Sequence, residues 1–219
     1  MKYLLVEGIT DVKFVQYICF KNNIIKKFDD FEKQKAKTSQ IEVYKYNDLY
    51  ILNMKSQDNL EYALSNTLKP MIKRIKKIGI IEDADDNFEE STTKITDAIK
   101  KSQIDESNIS YFLTPNNKDL GDLETLLLST IKENNIVQCF DDYKKCLLSK
   151  EEIHPKALNK GQIYAYTMYS QQGENLHKPQ HSFMFEKDKI YADTNLWDLK
   201  KDEFEPITDF ILEIFKKDS

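Results

Sequence analysis

Four acids crowd into five residues at one point of this chain. The stretch "KKIGIIEDADDN", residues 76–87, runs Ile78, Ile80 and Ile81 straight into Glu82, Asp83, Asp85 and Asp86. Carboxylates packed that closely raise one another's pKa by repulsion unless something positive holds them. A second acid has a similar setting: "KYLLVEG" ends an apolar run with Glu7 and Gly8. A third candidate, Glu124, lies three residues after Gly121 in "GDLE". Oxygen donors gathered around open positions suit a hard cation, and Mg²⁺ prefers a few carboxylates, several waters and a substrate phosphate.

Such acids act together only if the fold delivers them to one place. "KYLLVEG" reads as a strand, and "ITDVKFVQYICFKNN" after it carries Val12, Val15, Ile18 and Cys19 on a helical face that Thr10 can cap. "IEVYKYN" alternates as a strand, and "NLEYALSNTLKPMIKRI" has helical periodicity that Pro70 ends or kinks. The opening stretch is the next strand, "STTKITDAIKKS" a helix, "ISYFLTP" a strand and "DLETLLLSTIKENN" a helix. Strands alternating with helices predict an α/β fold, a parallel sheet with helices on both faces, over residues 1–131. The strand signal fades afterwards, so residues 132–219 are expected to form a mostly helical extension packed on that domain. Within it "CFDDYKKCLLS", "PKALNKGQIYAYTMYS" and "FEPITDFILEIFKK" read as helices and "GENLHKPQHSFMFEKDK" as a loop. In open parallel sheets ligands bind beyond the carboxyl ends of the strands. Glu7 ends the first strand and Asp83 and Asp85 end a central one, so the three are expected at one edge.

Three other accounts of "EDADDN" compete. An EF-hand loop would start at Asp83, but it needs Gly where Phe88 stands and Glu where Lys94 stands. The DxDx(T/V) motif of haloacid-dehalogenase-type phosphohydrolases meets Asn87 at its last position and usually opens its domain. The blandest account is a solvated turn in which Asp86 or Asn87 caps the next helix; where the acids instead hold a cation, Glu82 and Asp86 are expected to face solvent or back the site.

Composition bounds the rest. The 219 residues carry 40% hydrophobic and 32% charged side chains with a net charge of −5, a globular pattern rather than a disordered or polycationic one. Only five glycines occur, below the usual share of about 7%. None is clustered as a P-loop, a dinucleotide fingerprint or a GxSxG elbow requires. The start "MKYLLVEGIT" is no signal peptide, and no apolar stretch approaches the length of a membrane span. Cys19, Cys139 and Cys146 form no CxxC and read as buried thiols in a reducing cytoplasm.

"YLLVEGITDVKFV" followed by "IGIIEDADDN" resembles the TOPRIM domain of topoisomerases, primases, OLD-type nucleases and small stand-alone proteins. Glu7 matches that family's glutamate, and Asp83 and Asp85 match its two aspartates. "PNNKDLGDLETLLL" is similar to a Gly-x-Leu-Glu segment of the OLD-like and stand-alone members, which implies that Glu124 lies near the same site. "NLWDLKKDEFEPITDFI" resembles the tail of stand-alone members. Many relatives place Gly two residues after the second aspartate, where this chain has Asn87. The resemblance implies Mg²⁺ (or Mn²⁺) held by Glu7, Asp83, Asp85 and Glu124, with Glu7, Asp83 and Asp85 catalytic in phosphodiester chemistry on nucleic acid. A nuclease is expected, because neither a partner domain with a tyrosine nucleophile nor a zinc module for a primase is evident. The alternative is a non-catalytic TOPRIM-like module that binds nucleic acid, nucleotide or a protein partner.

Nucleic acid requires a positive track, and "KPMIKRIKK" supplies Lys69, Lys73, Arg74, Lys76 and Lys77. Arg74 is the only arginine, so binding is expected to rest on phosphates rather than on base edges. The same lysines also fit a plain solvated face. His177 and His181 have the spacing of a helical metal pair, but Pro179 stands between them. "IYAYTMYS" with Trp197, Phe204, Phe210 and Phe215 reads as core rather than a base-stacking platform, with a cover over the acidic site or a homodimer or partner face as other uses.

Overall fold

A computed structural model describes residues 1–28, 30–35, 39–132, 135–149, 155–170, 198 and 202–216. Six strands form one sheet in the order β2-β3-β4-β1-β5-β6. They are β1 (Lys2–Val6), β2 (Glu32–Lys33), β3 (Glu42–Tyr46), β4 (Leu49–Asn53), β5 (Lys77–Asp83) and β6 (Ile109–Thr114). β4, β1, β5 and β6 run parallel, and β3 and β2 are antiparallel additions at one edge. The fold is the expected mixed α/β arrangement, mostly but not wholly parallel.

The departure is the hairpin β3–β4. "LYILN" is not singled out by the sequence reading, yet Tyr46 pairs with Leu49 across the two-residue turn Asn47-Asp48. Asn47 adopts φ 54°, a left-handed conformation that Asn tolerates because its short side chain bonds locally.

The helices are α1 (Ile9–Lys21), α2 (Leu60–Tyr62), α3 (Phe88–Ser102), α4 (Leu123–Ser129), α5 (Asn135–Leu148), α6 (Pro155–Ser170) and α7 (Glu205–Phe215). α2 is one turn within a longer coil, flanked by a 3₁₀ turn at Gln57–Asn59, a π-helical stretch at Ala63–Leu68 and a 3₁₀ stretch at Lys69–Arg74. Pro70 stands at the start of the last stretch, where its missing N–H costs nothing. Gly8, not Thr10, is the N-cap of α1, and its N–H donates to Asp11 Oδ2 at 2.9 Å.

Alternation in β1 divides the core. Leu4 and Val6 face one layer, with α1, α4 and α7. Tyr3 and Leu5 face the other, with the α2 coil and α3. Residues beyond 131 share the first layer: Tyr166, Phe204, Ile207, Ile211, Ile214 and Phe215 are all buried there. Phe210 is half-buried and packs on Phe112 at 5.6 Å between ring centroids. Trp197, His177, His181 and the expected loop at 173–189 lie outside the described residues. Among the described residues no helix is long and apolar enough to cross a membrane.

Gly79 sits in the middle of β5, where a strand interior ordinarily disfavours glycine. A Cβ there would meet Leu4 Cδ1 at 2.7 Å and Ile214 Cγ1 at 2.8 Å, so the missing side chain is what lets α7 lie on the sheet. Gly79→Ala is expected to destabilise the chain by about 1–3 kcal/mol through overpacking. Urea denaturation, read as a lowered midpoint with an unchanged slope, checks it.

Candidate functional site

β1 and β5 are parallel neighbours in register, Val6 beside Ile81, so both strands run out at the same edge. The residues that follow are Glu7 on one side and Glu82 and Asp83 on the other. The α1 crossover leaves β1 on one face, while the α2 coil and α3 flank β5 on the opposite face. That change of side beside β1 is where open α/β sheets leave a crevice.

Asp83 is anchored. Its Oδ1 accepts from Thr114 Oγ1 at 2.6 Å and from the Leu123 N–H at 3.2 Å, so β6 and the first turn of α4 both hold it. Asp85 adopts φ 51°, and its backbone exchanges hydrogen bonds with Gly121 at 2.8 and 2.9 Å. Gly121 has φ 137°, and a Cβ on it would come within 2.8 Å of Thr125 Oγ1. Glycine is therefore required where the Glu124 loop closes against the Asp85 turn. Gln57 Nε2 donates to Asp85 Oδ2 at 3.4 Å. Asn87 caps α3 by accepting from the Glu90 N–H at 3.1 Å, which accounts for Asn at a position where glycine was looked for. Asp86 is exposed.

The fold thus gathers Glu7, Asp83, Asp85 and Glu124, and it adds three acids that the sequence reading did not assign to the site. Asp11, on the first turn of α1, is pushed well above the ordinary carboxylate range, first by burial and then by Asp83, with Glu7 and Glu124 adding to the shift. Glu82, left between a solvent-facing and a backing role, is buried at 4% exposure. Burial, Glu7, Asp83 and Asp85 push it up to about 8, opposed by Lys94. Asp122 is 1% exposed; its Oδ1 caps α4 through the Thr125 N–H and Oγ1 at 2.8 and 2.7 Å, while among the described residues no donor meets its Oδ2. Glu124 is raised by burial and by Asp122, and Lys160 of α6, at 3.7 Å, opposes that. Asp11 and Asp122 are legible in sequence only as helix caps, a pattern that says nothing of a shared edge.

Among the described residues, Lys94 opposes the shift of Glu82 and Lys160 that of Glu124, while the basic run lies elsewhere. Lys77 begins β5 and Asp83 ends it, so Lys69–Lys77 lie at the opposite edge, roughly 20 Å away for seven residues at about 3.3 Å each. There Lys69 Nζ donates to Gln103 Oε1 at 2.8 Å, and Lys77 pairs with Glu213 of α7. Lys73, Arg74 and Lys76 are exposed. That edge also holds a cavity of about 1090 Å³ lined by Lys2, Tyr46, Asp48, Lys76, Glu213 and Phe215 among others.

Carboxylate oxygens gathered at one edge, with Asp11, Glu82 and Glu124 raised by burial and by their acidic neighbours, fit a divalent cation in chemistry. Among the described residues no three Asp, Glu, His or Cys side chains are grouped as a ready-made metal shell. Mg²⁺ does not demand one, since it commonly takes one or two carboxylates and completes its shell with water and phosphate.

A family model described as "Protein of unknown function (DUF3226)" matches residues 1–216. The chain belongs to this family. No curated protein and no solved structure matches it.

Because Glu82 binds its proton more tightly folded than unfolded, its contribution to stability is present at pH 4.5 and drains away as pH rises toward about 8. The metal-free DUF3226 chain is therefore expected to melt at lower temperature at pH 8 than at pH 5.5. Glu82→Gln is expected to flatten that slope, and calorimetric scans across the range check both.

Proposed function

We propose that the chain is a TOPRIM-like, Mg²⁺-dependent enzyme acting on phosphodiester bonds of nucleic acid, most simply a nuclease. The observation that supports the reading is the in-register parallel pairing of β1 with β5, Val6 beside Ile81, after which the chain runs on to Glu7 from one strand and to Glu82 and Asp83 in the other at the same sheet edge. A bound Mg²⁺ would neutralise charge on a phosphoryl oxygen and polarise it for displacement. Asp83 and Asp85 would hold the ion, both fixed by the hydrogen bonds that tie their turn to Thr114, Leu123 and Gly121. Glu7, which follows β1, would also hold the ion or would accept a proton from the attacking group. Glu124 would complete the shell or orient a water. Lys94 and Lys160 flank the acids and would meet the substrate's phosphates, a sequence-tolerant contact. The free cysteines Cys19, Cys139 and Cys146 fit a reducing cytoplasm.

The placement of Lys69, Lys73, Arg74, Lys76 and Lys77 at the far edge favours a second reading. In that reading the chain is a non-catalytic module that binds nucleic acid, nucleotide or a protein partner away from the acids.

Two measurements separate these readings. Titration calorimetry with Mg²⁺ or Mn²⁺ is expected to show binding to the wild type that Asp83→Ala/Asp85→Ala abolishes; equal binding by both removes the metal site. Incubation with single- and double-stranded DNA and RNA in Mn²⁺ or Mg²⁺ is expected to give cleavage that Glu7→Gln lowers by about a hundredfold or more. No cleavage of any substrate, with salt-sensitive binding that survives Glu7→Gln and falls with Lys73→Gln, would establish the binding module.

A further inference from the structure

α6 sets two consecutive residues against the segment that shapes the acid edge. Lys160 Nζ lies 3.7 Å from Glu124 Oε1, and Asn159 Nδ2 donates to Thr125 Oγ1 at 3.1 Å. The segment that receives them, residues 121–125, also holds the acids. Gly121 exchanges backbone hydrogen bonds with Asp85, and the Leu123 N–H donates to Asp83 Oδ1 at 3.2 Å. Between them Asp122 Oδ1 caps α4 by accepting from the Thr125 N–H and Oγ1.

α5 stands behind Asn159. Its outer side carries Cys139 and Cys146, both exposed against the expectation of buried thiols. Its inner side brings up Lys144, whose Nζ donates to Asn159 Oδ1 at 2.7 Å. An ammonium only donates, so it must take the oxygen of the amide. That leaves the amide's NH₂ group for Thr125, whose hydroxyl oxygen accepts it. The one hydroxyl proton then goes to Asp122 Oδ1, at 2.7 Å. Every donor in this row points the same way, from an ammonium on α5 to a buried carboxylate at the start of α4. Hydrogen bonds aligned in a chain polarise one another, so each strengthens the next. Asp122 has use for that support, because it is buried and among the described residues no donor meets its other oxygen.

We propose that Asn159 is a positioning residue of the acid edge, which with Lys144 behind it sets Asp83 through Thr125 and Asp122. The amide fixes the Thr125 hydroxyl, the hydroxyl fixes the Asp122 carboxylate, and the capped turn aims the Leu123 N–H at Asp83. α5 and α6 thereby take part in the site without adding an acid to it. The consequence for a bound ion rests on the metal reading, since groups that orient a ligand from behind tune its affinity. The positioning itself operates without metal.

The test reads amide hydrogen exchange by NMR in the full-length chain kept metal-free with a chelator, and then Mn²⁺ affinity by titration calorimetry. Asn159→Ala is expected to speed exchange at Leu123 and Gly121 about three- to tenfold, the worth of one hydrogen bond. Where the wild type binds Mn²⁺, the same variant is expected to bind it more weakly by a similar factor. Thr125→Val should act likewise and Thr125→Ser should not, because serine keeps the hydroxyl. Adding Lys144→Met to Asn159→Ala should bring no further loss, since both belong to one row. Gln162→Ala is the control: it breaks the bond from Gln162 Nε2 to Asp141 Oδ1 at 3.0 Å, which joins α5 and α6 without involving α4. A role confined to stability would make Gln162→Ala and Asn159→Ala alike in both measurements. That result overturns the proposal, as does wild-type exchange or wild-type Mn²⁺ affinity in Asn159→Ala. A wild type that binds no Mn²⁺ defeats the metal reading alone, because the exchange rates still decide this one.

Discussion

The parallel, in-register pairing of β1 with β5 is the constraint on which the rest of the molecule depends. Parallel neighbours cannot be joined by a tight turn, so the chain must leave the sheet, cross a face as helix and return. That requirement accounts for α1 on one face and the α2 coil and α3 on the other. It also decides where the acids go, since both strands then end at the same edge and release Glu7, Glu82 and Asp83 together. An antiparallel pairing of the same two segments would have sent Glu7 and Asp83 to opposite ends.

Crowding carboxylates at that edge works against folding, and the structure offsets it with several small local devices. Thr114 and the Leu123 N–H hold Asp83, the Gly8 N–H holds Asp11, and Thr125 holds one oxygen of Asp122. Lys94 and Lys160 supply opposite charge from two different helices. The remaining imbalance is expressed as protons retained on Glu82, Asp11 and Glu124 above the usual carboxylate range. Simple capping groups on a solvated turn would not need such support.

Much of this was legible in the order of residues, because strands and helices that bury one face write their period into the chain. "KYLLV", "KIGIIED" and "ISYFLT" announce their strands, and the acids after the first two announce their edge. "LYILN" did not, because it is one half of a hairpin whose turn, Asn-Asp, is a weak signal beside Asn-Gly. Asp11 and Asp122 were hidden because a cap and a site acid look identical until the sheet brings them together. The basic run stands apart from the acids for a related reason: closeness in sequence to "EDADD" is separation in space when a whole strand lies between. Cys139 and Cys146 face outward because the opposite side of α5 is the one tied to α6.

The cover that α7 provides has a temporal side. Ile207, Ile211, Ile214 and Phe215 complete the layer begun by Leu4 and Val6, and Gly79 keeps the space for them open. A ribosome makes β1 early and α7 late, so the sheet can assemble while that part of one face is still bare. The nascent chain must hold this apolar surface away from its neighbours until α7 emerges and docks. Contacts between segments so far apart in sequence carry a large closure cost before they return any stability, which makes this docking a slow and vulnerable step.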